Sequence, residues 1–385
     1  MIVHRKKCLF FVQGEGRGHM TQSISMKQIL EAAGIEVCEV LIGKSKYRKI
    51  PDFYFEKIGV PVTGIDSPNM TSGKQGKKIK SFTTFLKNLS YVPRFIKSLK
   101  VIGEKIEEHK PDIIINFYEP LCGLYYLLHK PAVPMVAIGH QFMFLHEGFI
   151  MPSEDKLGAV ILKQYTRFTA ARATKKLALS FYPFPDNVEN SIYVVPPLLR
   201  HEAVSHPVGK DNYLLIYILN SGYMEDIIKW HQSNPGVVLH CFTDKKDMGE
   251  VYKYDDTLTF HALNDKLFLD MMANAKGVVS TAGFESVCEA MYMGKPVFMV
   301  PVENHYEQFC NSRDAAKTGN GIYDSAFNID KFLQFLSTYT KDGQVFRNWA
   351  DQSSRLIIKQ IKSVLQVDNV KQLSGQKGPY REAAQ

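Results

Sequence analysis

The sequence predicts an α/β protein made of two Rossmann-like domains that face each other across a cleft. Three observations predict it. Short apolar runs alternate with helix-period patterns from end to end, the signature of βαβ units and a mainly parallel sheet. The alternation halts once, at Val195-Pro-Pro-Leu-Leu-Arg200 and the polar His201–Lys210, and then restarts. A length of 385 residues, at roughly 150 per domain, accommodates two domains.

Each element follows in turn. Cys8–Val12 is a run of apolar residues too short for a helix, so it reads as a buried strand. A glycine loop and a helix over Met20–Ala33 come next, then strands at Val37–Ile42 and Phe53–Ile58. A helical stretch from Ile79 to Glu108 is interrupted by Pro93. Pro111 and Pro120 bracket a strand at Asp112–Phe117, and Pro134–Ile138 and Leu177–Phe181 continue the sheet. After the linker, Tyr213–Leu219 is a strand that ends in Asn220-Ser-Gly222. Val237–Phe242, Leu258–His261, Gly277–Ser280 and Pro296–Val300 complete the second sheet, with helices between them. A helix over Gln344–Leu365 follows, and from Gln366 the tail is polar and expected to fray. The expected boundaries are 1–198, 199–343, a helix at 344–367 and a tail at 368–385.

Composition excludes several classes. Hydrophobic residues at 45% and charged residues at 22% rule out a disordered, collagen-like or coiled-coil chain. The net charge of +8 is unevenly spread: residues 1–200 give 28 − 17 = +11, and residues 201–385 give 19 − 22 = −3. Such asymmetry points to an anionic surface or polymer touched by the first half. The six cysteines form no C-x-x-C pair, which argues for reduced core thiols over a disulfide or zinc framework. Met1–Lys7 is too short and polar for a secretory signal, and no run approaches 18 apolar residues. The expected location is cytoplasmic.

From Lys74 to Lys100 the sequence holds Lys74, Lys77, Lys78, Lys80, Lys87, Arg94, Lys97 and Lys100 without one acid, interleaved with Phe82, Phe85, Tyr91 and Phe95. This segment, residues 74–100, suits an anionic membrane surface on its inner, cytoplasmic face, or else is a solvated helix face whose apolar side packs on the sheet. No nucleic-acid recognition motif accompanies the charge.

Two motifs carry chemistry. The first is Gln13-Gly-Glu-Gly-Arg-Gly-His19, between the first strand and the first helix. Gly14, Gly16 and Gly18 let the backbone approach a ligand, and the helix N-terminus favours an anion. The spacing departs from G-x-G-x-x-G, and the second strand ends in Leu41-Ile42-Gly43 without an acid for a ribose. A dinucleotide site is therefore poorly matched, and a glycine turn with a capping histidine remains a plain alternative. The second motif runs from Ser280-Thr-Ala-Gly283 through Glu285, Glu289 and Gly294-Lys-Pro296 to Glu307, Gln308 and Asn311. It reads as strand, small-residue turn, helix, strand and helix start. Thr281, Ala282 and Gly283 can offer backbone N–H groups to a diphosphate. Glu285 and Glu289 lie one helical turn apart, so both can face one cleft.

Together these motifs resemble those of the GT-B glycosyltransferases that use nucleotide sugars. They are similar to the branch with the peptidoglycan N-acetylglucosaminyl transferase, the diacylglycerol glycosyltransferases and the plant-type UDP-glucosyltransferases. The resemblance spans both halves. It implies that Glu289 bonds the ribose hydroxyls, that Thr281–Gly283 takes the phosphates, and that Glu307 and Gln308 read the donor sugar. Asn220, Ser221 and Gly222 take the place of a second phosphate loop, though they are poorer in glycine than the family pattern. His261–Leu263 would lie near the base. Gly16 and Gly18 belong to the donor side of the glycine loop.

His19 holds the loop position of the family's general base, and an unperturbed imidazole titrates near pH 6.5. Glu119, just past the strand Asp112–Phe117, is the expected orienting acid; His140 and Gln141, past the next strand, compete for that role or bind the acceptor. No Asp-x-Asp, H-E-x-x-H or G-x-x-x-x-G-K-[ST] appears, so the implied reaction uses no metal and no cofactor. The nucleotide sugar is a substrate, moved with inversion onto the hydroxyl of a glycan, lipid or small molecule. The last helix is expected to cross back onto the first domain, as in that family. Two rivals stay open at this point: a nucleotide-sugar 2-epimerase of the same fold, and a non-catalytic module that docks anionic lipid or polymer.

Overall fold

The computed structural model describes residues 5–44, 49–68, 92–217, 223–244, 249–303 and 305–375, with residues 367–375 described as backbone only. The described residues form two seven-stranded sheets with helices on both faces. The first sheet is parallel throughout, in the order β3-β2-β1-β4-β5-β6-β7. Its strands are β1 Lys6–Gln13, β2 Ile35–Lys44, β3 Val62–Asp66, β4 Ile113–Phe117, β5 Met135–Gly139, β6 Lys175–Leu179 and β7 Ile192–Val195. Every residue of β4 and β5 is buried, as expected of strands covered on both faces. This is why their sequences are apolar runs, broken only by the buried and hydrogen-bonded Asn116 of β4.

The second sheet has the order β10-β11-β9-β8-β12-β13-β14. Its strands are β8 Tyr213–Tyr217, β9 Val238–Thr243, β10 Val251–Lys253, β11 Leu258–Ala262, β12 Gly277–Ser280, β13 Val297–Met299 and β14 Gly321–Tyr323. Only the edge strand β10 runs antiparallel. In each sheet the strand order reverses about its first strand, between β1 and β4 and between β8 and β12. Ligands of open α/β sheets bind in the crevice at such a point, outside the carboxyl ends of the strands.

Several expectations need correction. Phe53–Ile58 is not a strand but lies in the helix Asp52–Ile58, ended by Gly59 at φ +62°. Tyr54 and Ile58 are buried four residues apart while Phe55 is exposed, which is a helical period. The third strand is Val62–Asp66 instead. Pro93 is the second residue of the described helix Val92–His109, and the residues before it, on which the expected interruption falls, lie outside the described residues. Residues 79–91, and with them Lys74 to Lys87 of the basic segment, lie outside the described residues. The short strands β3, β7, β10 and β14 gave too few residues for periodicity to register. The linker contains a short helix, His201–Val204.

The C-terminal helix is two helices, Gln344–Ala350 and Ser353–Gly375, and the second runs on past Gln366, where fraying was expected. Both touch the first half. The Trp349 indole donates to the Ser180 carbonyl at 2.9 Å, and Lys175 Nζ reaches Gln360 Oε1 at 2.5 Å and Ser363 Oγ at 2.7 Å. Ile357, Ile361, Val364 and Leu365 join a core cluster that also holds Met20, Ile24 and Leu30 of the first helix. All six cysteines are free thiols.

Candidate active site

The first half contributes the loop after β1. A Cβ on Gly14 would run into the carbonyl of Gly43 on β2, so only glycine lets the loop turn this close to the sheet. A Cβ on Gly16 would meet no heavy atom within 4 Å, and Gly16 caps the helix Arg17–Ala32 with no side-chain bond. A Cβ on Gly18 would strike the carboxylate of Glu285. The first helix of one half therefore rests on the acid of the other.

His19 lies in the first turn of that helix and is buried, its ring stacked on Tyr118 with centroids 5.6 Å apart. Nδ1 lies 3.2 Å from Gln22 Oε1. Burial pushes the imidazole down to about 4, against a weaker upward pull from Gln22, so the ring is neutral at pH 7. Gln22 in turn donates from Nε2 to Glu285 Oε1. Burial raises the Glu285 carboxyl to about 7, and the neighbouring Glu289 and Glu307 push it the same way.

Glu119 is not the partner of His19. It caps the helix Pro120–His129: its Oε1 accepts from the Leu121 amide at 3.0 Å and from Ser67 Oγ at 2.5 Å. Its other oxygen is buried without a partner, and burial lifts this carboxyl to about 7. The sequence motif Glu119-Pro120 is a helix start, which accounts for the acid. His140 does not orient His19 either. Its Nδ1 donates to the Leu179 carbonyl at 2.7 Å, which leaves Nε2 a buried acceptor without a partner. The ring of His140 stacks on Phe284, first residue of the helix Phe284–Tyr292, at 4.3 Å.

The second half contributes the loop after β12. Thr281, Ala282 and Gly283 precede the helix Phe284–Tyr292, whose N-cap Gly283 makes no side-chain cap bond. Ala282 has φ +63°, a left-handed conformation that costs a residue with a Cβ about 1–2 kcal/mol. Asn311 Nδ2 holds its carbonyl at 3.1 Å, while Asn311 Oδ1 is buried without a partner. Such strain gathers where a loop is shaped for a ligand. The first-turn N–H groups of this helix and its dipole suit a phosphate.

Glu289 is not a free carboxylate. Arg200 grips both its oxygens, from Nε at 2.6 Å and from a terminal nitrogen at 2.7 Å, and reaches Asp265 at 2.6 Å. A ribose can bond to Glu289 only by sharing it with this guanidinium. Glu307 accepts from Gln141 Nε2 at 3.0 Å, across the cleft, and burial raises its pKa. Gln308 Oε1 accepts from the Val302 amide at 2.9 Å, so one end of this side chain braces its own loop. His261 is buried beside His240, with Nε2 3.0 Å from its Nδ1. Asn220, Ser221 and Gly222 lie outside the described residues.

The structure thus brings Gly18, His19 and Glu285 together, and joins Gln141 to Glu307, but keeps Glu119 apart from His19. Sequence reading missed Gln22 and Arg200. Gln22 was findable, because a residue three positions after His19 on a helix shares its face. Arg200 was not, since its partners are 65 and 89 residues away. Among the described residues Glu39, Glu108 and His109 approach one another as metal ligands would, but Lys105 Nζ lies 3.0 Å from each of the two acids and compensates them.

A family model described as glycosyl transferase family 1 matches residues 6–339. The chain belongs to this glycosyltransferase family. It is 23% identical over 341 residues to a glycosyltransferase of Methanosarcina mazei, covering 82% of this chain and 85% of that one. It is 25% identical over 399 residues to a UDP-N-acetylglucosamine–N-acetylmuramyl-(pentapeptide) pyrophosphoryl-undecaprenol N-acetylglucosamine transferase of Blochmanniella floridana, covering 96% of both. Its fold is similar to that of Acinetobacter baumannii MurG, with a TM-score of 0.57, 14% identity and coverage of 93% and 99%. The UDP complex of LpCGTa gives a TM-score of 0.61 at 13% identity, with coverage of 94% and 99%. The protein is a GT-B glycosyltransferase with two Rossmann-like domains, an enzyme that moves sugar from a nucleotide-sugar donor.

Proposed function

We propose that this glycosyltransferase takes a UDP-hexose-type donor and transfers the sugar, with inversion and without a metal, to the hydroxyl of a lipid-linked or membrane-associated acceptor. One observation carries the mechanism. A histidine that is neutral at pH 7 stands in the first turn of the glycine-loop helix, bonded through one amide to the phosphate-side helix of the other half. A neutral imidazole is the form that can accept a proton.

In this reading His19 removes the proton of the acceptor hydroxyl as its oxygen attacks the anomeric carbon. The bond to the diphosphate breaks, and its electron pair leaves with the nucleotide. Backbone N–H groups of Thr281–Gly283 and the dipole of the helix Phe284–Tyr292 receive that charge, which is the work a metal does elsewhere. Glu307 and Gln308 read the sugar hydroxyls, Glu289 shares the ribose with Arg200, and His140 and Gln141 approach the acceptor. The buried, unpartnered atoms His140 Nε2, Gln141 Oε1 and Asn311 Oδ1 support this, because buried polar groups are normally bonded. The membrane side of the proposal rests on the basic segment 74–100 and on the lipid-linked acceptor in the names of relatives. Among the described residues no helix is long and apolar enough to cross a membrane. Location at the inner face of the cell envelope belongs to the same proposal.

Incubation with a panel of UDP-sugars tests it. Slow UDP release is expected with a matching donor, unchanged by chelator, and His19→Ala should lower it by about 10²-fold or more. Undiminished turnover in that variant refutes the assignment of the base, and a product with retained anomeric configuration refutes inversion. Sedimentation with anionic vesicles tests the surface: binding that survives neutralisation of Lys77, Lys78 and Lys80 counts against it.

A further inference from the structure

An amide side chain presents an acceptor oxygen at one corner and a donor nitrogen at the other, so its orientation dictates the protonation of any imidazole it meets. Gln22 meets two groups at once: His19 Nδ1 on its own helix and Glu285 Oε1 on the opposite half. Above the value near 7 at which Glu285 ionises, its carboxylate can only accept, so the nitrogen of Gln22 must face it. The reversed amide would set two acceptor oxygens against each other in a site where Gln22 is buried, with its desolvation uncompensated. The oxygen of Gln22 is therefore turned to His19, and a ring nitrogen that faces an acceptor must carry hydrogen. Among the described residues no second bond competes at the His19 ring.

We propose that Gln22 is a positioning residue which, oriented by Glu285 of the second half, holds His19 as the Nδ1–H tautomer and leaves Nε2 as the proton acceptor. The base is then set only while the two halves are in contact. This rests on the reading of His19 as the base. In the step itself the acceptor O–H bond breaks toward Nε2, and the acceptor oxygen bonds to the anomeric carbon as the diphosphate leaves with its electron pair. The imidazolium that results donates from Nδ1 to Gln22 and is faced by Glu285 beyond it. Its Nε2 proton later passes to solvent. The device differs from a directly paired acid, and it explains why Glu119 can be spent on capping a helix. Gly18 belongs to it as well, because any side chain there would displace Glu285.

The test is the nitrogen spectrum of the full-length protein labelled with 15N-histidine, at a pH about one unit above the value near 7 at which Glu285 ionises. His19 is assigned by the signal lost in His19→Gln. The expected wild-type result is a protonated Nδ1 and a bare Nε2, and the opposite pattern overturns the proposal without need of any variant. Gln22→Met and Glu285→Leu should each give a mixed tautomer and lower kcat by about 10-fold or more, with the donor KM little moved. The reversed pair, Gln22→Glu with Glu285→Gln, keeps an acceptor toward His19 and a donor across the cleft, and should recover both the tautomer and most of kcat. A wild-type tautomer in both single variants overturns the proposal. Failure of the underlying reading looks different: the spectrum would behave as described while His19→Ala still transferred sugar.

Discussion

The two loops at the reversal points of the two sheets share a plan and differ in chemistry. Each follows a central strand and opens a helix whose N-cap is a glycine without a side-chain cap bond. In the first half the loop is compressed against the sheet: Gly14 sits where a Cβ would strike the Gly43 carbonyl, with no left-handed residue in the loop. In the second half the loop is twisted instead, with Ala282 at φ +63° and its carbonyl pinned by Asn311. The first loop carries a histidine held neutral by burial, and the second carries an acid raised to about 7 by burial and by like charges. One architecture therefore carries both a neutral imidazole and a titratable carboxyl, because the helix terminus is common and the first-turn side chains are free to vary.

Four substitutions sharpen that contrast. The largest effect is expected at Gly14→Ala, where the new methyl meets backbone and not a movable side chain; a loss of about 1–3 kcal/mol in denaturant unfolding would fit overpacking. Unchanged stability there would mean that the loop is not compressed. Next comes the pH dependence. His19 is depressed to about 4, so its contribution to stability is present above its ordinary value near 6.5 and is lost as pH falls toward 4. Glu285 is raised from 4.5 to about 7, so its contribution is present below 4.5 and is lost as pH rises through 7. Thermal melts should show Glu285→Gln flattening the decline between pH 4.5 and 7, while His19→Gln flattens the decline between pH 6.5 and 4. Equal slopes in variant and wild type would show that burial does not shift these groups. The smallest effect is expected at Ala282→Gly, which relieves a left-handed alanine and should stabilise the protein by up to about 1 kcal/mol. Destabilisation there would indicate that the strain is absent.

Much of the fold was legible because buried parallel strands must be apolar on both faces, and Ile113–Phe117 or Met135–Gly139 announce themselves without tertiary context. Phe53–Ile58 misled for a related reason. Four of its six residues are hydrophobic, so its helical period shows only in which of them are buried. The site was legible as a set of positions but not as a set of pairs. Glu119 looked like a partner for His19 because both follow strands that adjoin in the sheet, yet its carboxylate turns back to the Leu121 amide and Ser67. Glu289 looked free because nothing near it in sequence could hold it, and Arg200 came from the linker.

The sequence by itself determined the two halves, the family and the residue types at each loop, because hydrophobic period and glycine placement are local properties. Only the tertiary structure decided who faces whom. Gln22 meeting Glu285 and Arg200 closing on Glu289 are contacts 263 and 89 residues apart. Such contacts exist because two separately patterned sheets bury a common surface, and no local rule of the chain encodes that meeting.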